Sequence, residues 1–269
     1  MNHESFLYRN LPVINRRVFR LGLACNYGID AEGIEWALGE GGVQYVFWTP
    51  KQKGATEVLR RALRRDRDRY VVATGPTTAL WKGSLRRFAD RARRVLDIDQ
   101  LDVLQMFWLG KTSRFSPAIV AELEKLRQEG VTRSIGISIH DRKRAGELAR
   151  SSSLDVFMIR YNAAHPGAEQ DIFPHLDRER QTVVSYTATC WRALLKRPKG
   201  WDGAMPTAGD CYRFALSSPS VDVTLTGPAS CEQLRENLQA LRQGPLTPEE
   251  RKLFGTLGPL VKARGYNWL

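Results

Sequence analysis

Apolar positions along this chain follow two alternating periods. Short, nearly continuous apolar runs occupy residues 19–24, 45–48, 70–73, 103–107, 134–138, 156–159, 183–186 and 221–225. Such runs suit strands buried on both faces of a sheet. Between them lie segments with apolar residues at helical spacing: 31–39, 55–65, 80–95, 117–127, 142–149, 207–216 and 232–241. In 55–65, for example, Val58, Leu59 and Leu63 form one stripe. Asp30 stands where an N-cap would open the first of these helices. Strand followed by helix, repeated along the chain, predicts an α/β fold: a parallel (β/α)8 TIM barrel in one domain over residues 1–269. An open, doubly wound sheet is the alternative, because periodicity does not prove closure.

Some segments fall outside the repeat. Residues 6–17 are expected to form an N-terminal hairpin over the barrel floor. Thr247-Pro248-Glu249-Glu250 has the order of a capping box with proline in the first turn. It predicts an extra C-terminal helix over 248–262. The aromatic tail, 264–269, is expected to pack on the outside. The stretch 196–205, with Pro198, Gly200, Trp201 and Gly203, is expected to be a loop on the active face.

Composition narrows the class. Of 269 residues, 42% are hydrophobic, enough for a sizeable core. No apolar run reaches the roughly 20 residues that a membrane helix needs. The first twenty residues are polar and interrupted by Pro12, so a soluble, cytoplasmic protein without a membrane partner is the expectation. Cys25, Cys190, Cys211 and Cys231 match no zinc or CxxC spacing and are expected to be buried free thiols. The formal net charge is +12, concentrated in 60–69 and 86–94. Both runs also carry apolar residues at helical spacing, so solvated outer helix faces are expected. Nucleic-acid binding is a minor alternative without a recognisable binding motif. No metal site is expected from the spacing of His3, His140, His165 and His175.

One segment carries more specific information. Gly130-Val131-Thr132-Arg133-Ser134-Ile135-Gly136-Ile137-Ser138 resembles a signature of the aldo/keto reductases. Weaker likenesses keep the same order along the chain. They are Phe19-Arg20-Leu21-Gly22-Leu23, Gly42-Val43 leading to Phe47 and Thr49, Leu101-Asp102, Tyr161-Asn162, Gly227, and Glu232-Gln233-Leu234 with Glu236-Asn237. The resemblance implies a barrel enzyme with its chemistry at the carboxyl ends of the strands. In that family a tyrosine protonates a carbonyl while hydride arrives from a nicotinamide. A Lys–Asp pair lowers the tyrosine pKa, and a histidine orients the carbonyl. An unperturbed phenol, with pKa about 10, is a poor acid at neutral pH.

At the four corresponding positions this sequence aligns Trp48, Lys53, Gly75 and Phe107. The resemblance therefore implies a divergent member with a degenerate tetrad and, with Trp48 and Phe107, an apolar mouth. Lys53 and His140 are the candidate replacement acids. The implied cofactor is NADP(H). Its implied contacts are Ser138 to the carboxamide, Tyr186 under the nicotinamide ring, Arg192 in the pyrophosphate loop, and Gly227, Gln233, Glu236 and Asn237 toward the adenine end. Ile139 and Met158 stand where the family has further amide-binding residues. Two functions compete. One is an atypical NAD(P)(H)-linked oxidoreductase acting on a small molecule. The other is a catalytically inactive pseudoenzyme barrel that binds a ligand or a protein partner.

Overall fold

The computed structural model describes residues 3–76, 83–109 and 115–264, apart from the side chains of Phe107 and Trp108. Eight parallel strands close a barrel: β3 (Leu21–Ala24), β4 (Tyr45–Phe47), β5 (Val71–Thr74), β6 (Leu101–Leu109), β7 (Thr132–Ile139), β8 (Val156–Arg160), β9 (Thr182–Tyr186) and β10 (Val223–Thr226). Closure is made by β10 on β3, with Thr224 opposite Leu21 and Leu225 opposite Gly22. The open-sheet alternative is excluded.

The helices follow the expected stripes: α2 (Ala31–Leu38), α3 (Lys53–Arg65), α4 (Ser84–Leu96), α5 (Pro117–Gln128), α6 (Arg142–Ser151), α8 (Ala208–Leu216) and α9 (Cys231–Leu241). Asp30 caps α2 by accepting from Gly33 N at 2.8 Å. The last helix, α10 (Pro248–Ala263), begins with a complete Thr247/Glu250 capping box. The unit after β8 departs from the pattern. Its helix α7 (Ala168–Asp171) is a single turn followed by a 3-10 turn at Phe173–His175. The tail beyond Arg264 and the start of the third expected helix, 80–95, lie outside the described residues.

The N-terminus holds a short helix, α1 (His3–Leu7), then an antiparallel hairpin of β1 (Tyr8–Leu11) and β2 (Arg16–Phe19). The first barrel strand therefore starts at Leu21, not Phe19, because Phe19 closes the hairpin opposite Tyr8. Leu11, Ile14 and Val18 of the hairpin bury themselves in the cluster that fills the barrel, with Tyr45, Val71, Val103, Val156, Val184 and Val223. The alternate residues of the strands, such as Leu23, Val46, Val72, Leu104, Ile135 and Val183, face the helices.

The barrel floor is fastened by a repeated device. Residues at the starts of alternate strands accept a backbone N–H from the preceding strand region. Asp102 takes Val72 N at 2.9 Å, Asp155 takes Ile135 N at 3.0 Å, Asp222 takes Val183 N at 2.7 Å, and Gln44 takes Phe19 N at 2.9 Å. Arginines neutralise each buried acid: Arg16, Arg67 and Arg133 for Asp102, Arg127 and Arg180 for Asp155, and Arg9 and Arg178 for Asp222. Such charges are tolerated inside because they are both paired and hydrogen-bonded. Arg20, fully buried, donates to the carbonyls of Phe6, Leu216 and Asp222 at 3.0, 3.0 and 3.1 Å. Burial lowers its pKa to about 9, so it stays charged at neutral pH.

The two basic runs form the outward faces of α3 and α4. Several of their arginines are paired laterally, as in Arg61–Glu35, Arg64–Asp97, Arg86–Glu129 and Arg93–Asp90. Arg87, Asp90, Arg91, Arg94 and Val95 line a surface cavity of about 500 Å³ on α4. No helix among the described residues is long and apolar enough to cross a membrane.

Candidate functional site

The carboxyl ends of the strands form the barrel mouth, the end left open by the hairpin. Strand alternation decides which side chains reach it. On β4, Tyr45 and Phe47 face inward. Trp48 turns outward, is fully buried among the helices, and donates Nε1–H to Thr56 Oγ1 at 3.0 Å. The expectation that Trp48 lines the mouth is therefore corrected: Phe47 is the inward aromatic at the end of β4. A one-residue shift of register exchanges the two faces of a strand.

Gly75 follows β5 and lies hard against β6. A Cβ built there would stand 1.6 Å from the carbonyl oxygen of Gln105. The main chain at this point admits no side chain without moving a strand. Lys53 opens α3 and is exposed. It lines a cavity of about 330 Å³ with Cys25, Asn26, Asp30 and Gln52. Ile29, Ala31, Ile34 and Ala55 line it too, but Lys53 itself is exposed. The Phe107 side chain lies outside the described residues.

A second group does converge. Tyr186, at the end of β9, is an inward residue with 9% exposure. His140, just after β7, meets it edge-on, with centroids 5.6 Å apart and planes at 88°. The Tyr186 Oη lies 3.2 Å from both ring nitrogens of His140. Burial, and then the charge of Arg160, lowers the His140 pKa, so the imidazole is neutral at neutral pH. Burial raises the Tyr186 pKa, so the phenol keeps its proton. Ser138 is fully buried on the inward face of β7, and its Oγ has no hydrogen-bond partner. It lies near enough to Tyr186 to favour the phenolate slightly, but it makes no bond of normal geometry. A buried hydroxyl without a partner is uncommon in a folded protein.

The loops beyond β8 and β9 are locked together. Asn162 donates from Nδ2 to Thr187 O at 2.8 Å, which turns its Oδ1 toward His165. That oxygen accepts the His165 backbone N–H at 3.0 Å and lies 3.2 Å from Nδ1. Nδ1 is then the protonated nitrogen, and the buried Nε2 has no partner. The Cys190 Sγ sits 3.7 Å from the same Nδ1. Burial, aided by Arg160, lowers the His165 pKa to about 4. Burial raises the Cys190 thiol and pushes the Cys25 thiol up to about 12, so both are protonated at neutral pH.

This loop holds four non-glycine residues at positive φ: Thr187, Cys190, Trp191 and Arg192. Each such residue costs roughly 1–2 kcal/mol and persists only where its surroundings enforce it. Trp191 and Tyr27, both exposed, approach to 6.2 Å between ring centroids. The Tyr27 ring covers Gly227, where a Cβ would come within 2.3 Å of a ring carbon.

The residues expected toward the adenine end are divided. Asn237 is buried and spends its Nδ2 on Thr226 Oγ1 at 3.3 Å. Gln233 is exposed and accepts from Ala229 N at 3.0 Å, and Glu236 is exposed on the same helix. Among the described residues, no group of three His, Cys, Asp or Glu side chains is placed to hold a metal.

Residues 44–197 match the model of the family described as Aldo/keto reductase family, over half of the chain. The chain belongs to the aldo/keto reductase family. The matched span runs from the start of β4 through the strained loop after β9 and stops before β10. A curated relative, Uncharacterized oxidoreductase YqkF of Bacillus subtilis (strain 168), is 24% identical over 205 residues, covering 66% of this chain and 65% of that protein. The chain thus spans just under two thirds of the length of that relative.

Solved aldo/keto reductases share the fold. The holo form of AKR11C1 from Bacillus halodurans superposes with a TM-score of 0.76 at 22% identity, covering 93% of this chain and 95% of the other. An aldo-keto reductase from Klebsiella pneumoniae, in complex with NADPH, gives 0.75 at 23% identity over 91% and 93%. Glycerol dehydrogenase AKR11B4 from Gluconobacter oxydans gives 0.73 at 18% identity over 94% and 95%.

Sequence reasoning missed Arg160. It is half-buried at the end of β8, on the face that carries Val156 and Met158 into the barrel. A signal was present: a cation closes an apolar strand at its carboxyl end, where barrel enzymes place their sites.

Proposed function

We propose that this chain is an atypical NADP(H)-linked oxidoreductase that acts on a small carbonyl or alcohol without the family's Asp/Tyr/Lys/His tetrad. The observation that carries the reading is the buried, unpartnered Ser138 hydroxyl beside Tyr186. That hydroxyl and the tyrosine suit the carboxamide and ring of a nicotinamide. Gln233 and Glu236 remain exposed for the adenine end, whereas Asn237 is committed to Thr226. A bound nicotinamide would supply or accept hydride.

The chain's own residues account for the rest. His140, neutral and held against the Tyr186 hydroxyl, offers an imidazole N–H or a lone pair. In its N–H tautomer it orients a carbonyl oxygen and stabilises charge developing there. Tyr186 stays a neutral phenol and donates within the pair. The apolar wall of Phe47 and Met158 excludes water from these groups and strengthens their hydrogen bonds. Lys53, being exposed, has no part in this scheme.

Titration with NADPH, followed by nicotinamide fluorescence, tests the reading. Saturable binding that weakens about tenfold in Ser138→Ala supports it, as the loss of one hydrogen bond of about 1.4 kcal/mol. No binding at millimolar NADPH ends it. Phe47 and Gly75 favour the alternative of an inactive, ligand-binding barrel, since neither presents a proton-transfer group. Turnover on a broad carbonyl panel would remove that alternative.

A further inference from the structure

We propose that Gln105 binds the cofactor's carboxamide from the barrel side, accepting its N–H while Ser138 donates to its carbonyl. The inference rests on the reading of the chain as a nicotinamide-linked oxidoreductase. It adds a cofactor-binding residue and the feature of the cofactor that this residue selects.

Strand alternation sets Gln105 inside the barrel. Val103 faces the interior, Leu104 and Met106 face the helices, and Gln105 stands between these two on the inward face of β6. It is fully buried. Its register partner on β7 is Gly136, which puts no side chain into the barrel. The glutamine therefore crosses β7, and its Nε2 lies 3.1 Å from the Met158 Sδ on β8. Ser138 is the next inward residue of β7 after Gly136, and its register partner is Met158. The Gln105 amide thus spans the strand that carries Ser138 and ends at the residue opposite it.

The polar atoms at this level are left over. A thioether sulfur only accepts, and weakly, so the Gln105 amide turns its NH2 toward Met158 and its Oε1 away. That Oε1 has no hydrogen-bond partner, and neither has the Ser138 Oγ. Two fully buried side chains on neighbouring strands therefore hold an unused acceptor and an unused hydroxyl. Lower on the same strand, the Ser134 hydroxyl is matched by Asp102 O. A primary amide carries the complementary pair, an N–H to give and a carbonyl to receive, and satisfies both groups. A carboxylate would meet the Oε1 lone pairs, and a ketone would leave them unpaired. Met158 stands where the family has an amide-binding residue. Gln105 brings an amide from β6 to that place.

Calorimetric titration of the full chain compares NADP+ with its 3-acetylpyridine analogue, in which a methyl ketone replaces the carboxamide. The analogue keeps the carbonyl for Ser138 and lacks the N–H for Gln105. The wild-type protein is expected to bind NADP+ about tenfold more tightly, because the analogue loses one hydrogen bond and leaves a buried acceptor unpaired. In Gln105→Met that preference falls to within about twofold, through weaker binding of NADP+ with the analogue unchanged. Gln105→Leu gives the same reading should the methionine variant not fold. Ser138→Ala weakens both ligands alike and keeps their ratio.

The proposal is overturned if the wild-type protein binds the two ligands equally. It is also overturned if the preference survives in Gln105→Met or Gln105→Leu, or if these variants weaken both ligands alike, as a packing role would. NADP+ binding without the preference sinks the assignment of Gln105 and leaves the oxidoreductase reading standing. No binding of either ligand at millimolar concentration sinks that reading, and this inference with it.

Discussion

Ser134 and Ser138 lie on the same face of β7, both fully buried, and differ in one respect. At the floor end, Ser134 donates to Asp102 O at 2.7 Å. At the mouth end, Ser138 has no partner. The contrast extends to neighbouring groups at each rim. The floor aspartates meet backbone N–H groups and arginines, and the hairpin shuts out water. The mouth keeps buried, unpartnered atoms at Ser138 and His165 and a run of left-handed residues after β9. One rim spends its polar groups on stability, and the other holds them unspent beside a strained loop. In a barrel of this class the second pattern marks the end that meets ligand.

The largest effect is expected at the floor. Asp102→Ala removes the acid shared by Arg16, Arg67 and Arg133 and frees the Val72 N–H. The expected loss is about 3–5 kcal/mol in urea unfolding. A loss below 1 kcal/mol would show that the floor does not fasten the barrel. Gly75→Ala comes next, because its methyl would collide with the Gln105 carbonyl. Overpacking of this kind costs about 1–3 kcal/mol or more. An unchanged urea midpoint would mean that β5 and β6 separate easily.

Acid should weaken the mouth specifically. The His165 pKa is about 4 in the folded chain, against about 6.5 unfolded. Between these values the unfolded state binds more protons, so stability rises with pH. The contribution is complete above about pH 6.5 and disappears as pH falls toward 4, on the order of 2 kcal/mol in all. Subtracting the stability profile of His165→Gln from that of the wild type should isolate this slope. A flat difference would refute it.

The smallest effect is the sharpest test of the contrast. Ser134→Ala should cost about 1 kcal/mol, whereas Ser138→Ala should be neutral or slightly stabilising, since no bond is lost. Equal losses in paired denaturation curves would erase the distinction between the rims.

The strands, the outer helices and both added segments were legible from periodicity and caps, because a parallel barrel buries its strands on both faces. The same property hid the register of β4. Tyr45, Val46, Phe47 and Trp48 are all apolar and all buried, so the sequence carries no alternation to say which aromatic enters the barrel. Ser138, Tyr186 and His140 were legible as candidates, through the family resemblance or their place near strand ends. Their grouping was not, because strand neighbours around a barrel are distant in sequence. Arg160, Asp155 and Asp222 were missed for a related reason. A single charged residue at a strand end resembles a boundary until the barrel supplies its neighbours.

Gly75 carries a consequence for redesign. Its obstacle is a main-chain oxygen, which has no alternative rotamer to adopt. Grafting a lysine there would therefore begin with strand spacing rather than with side-chain chemistry, and a library that varies mouth residues on a fixed backbone would search in the wrong space.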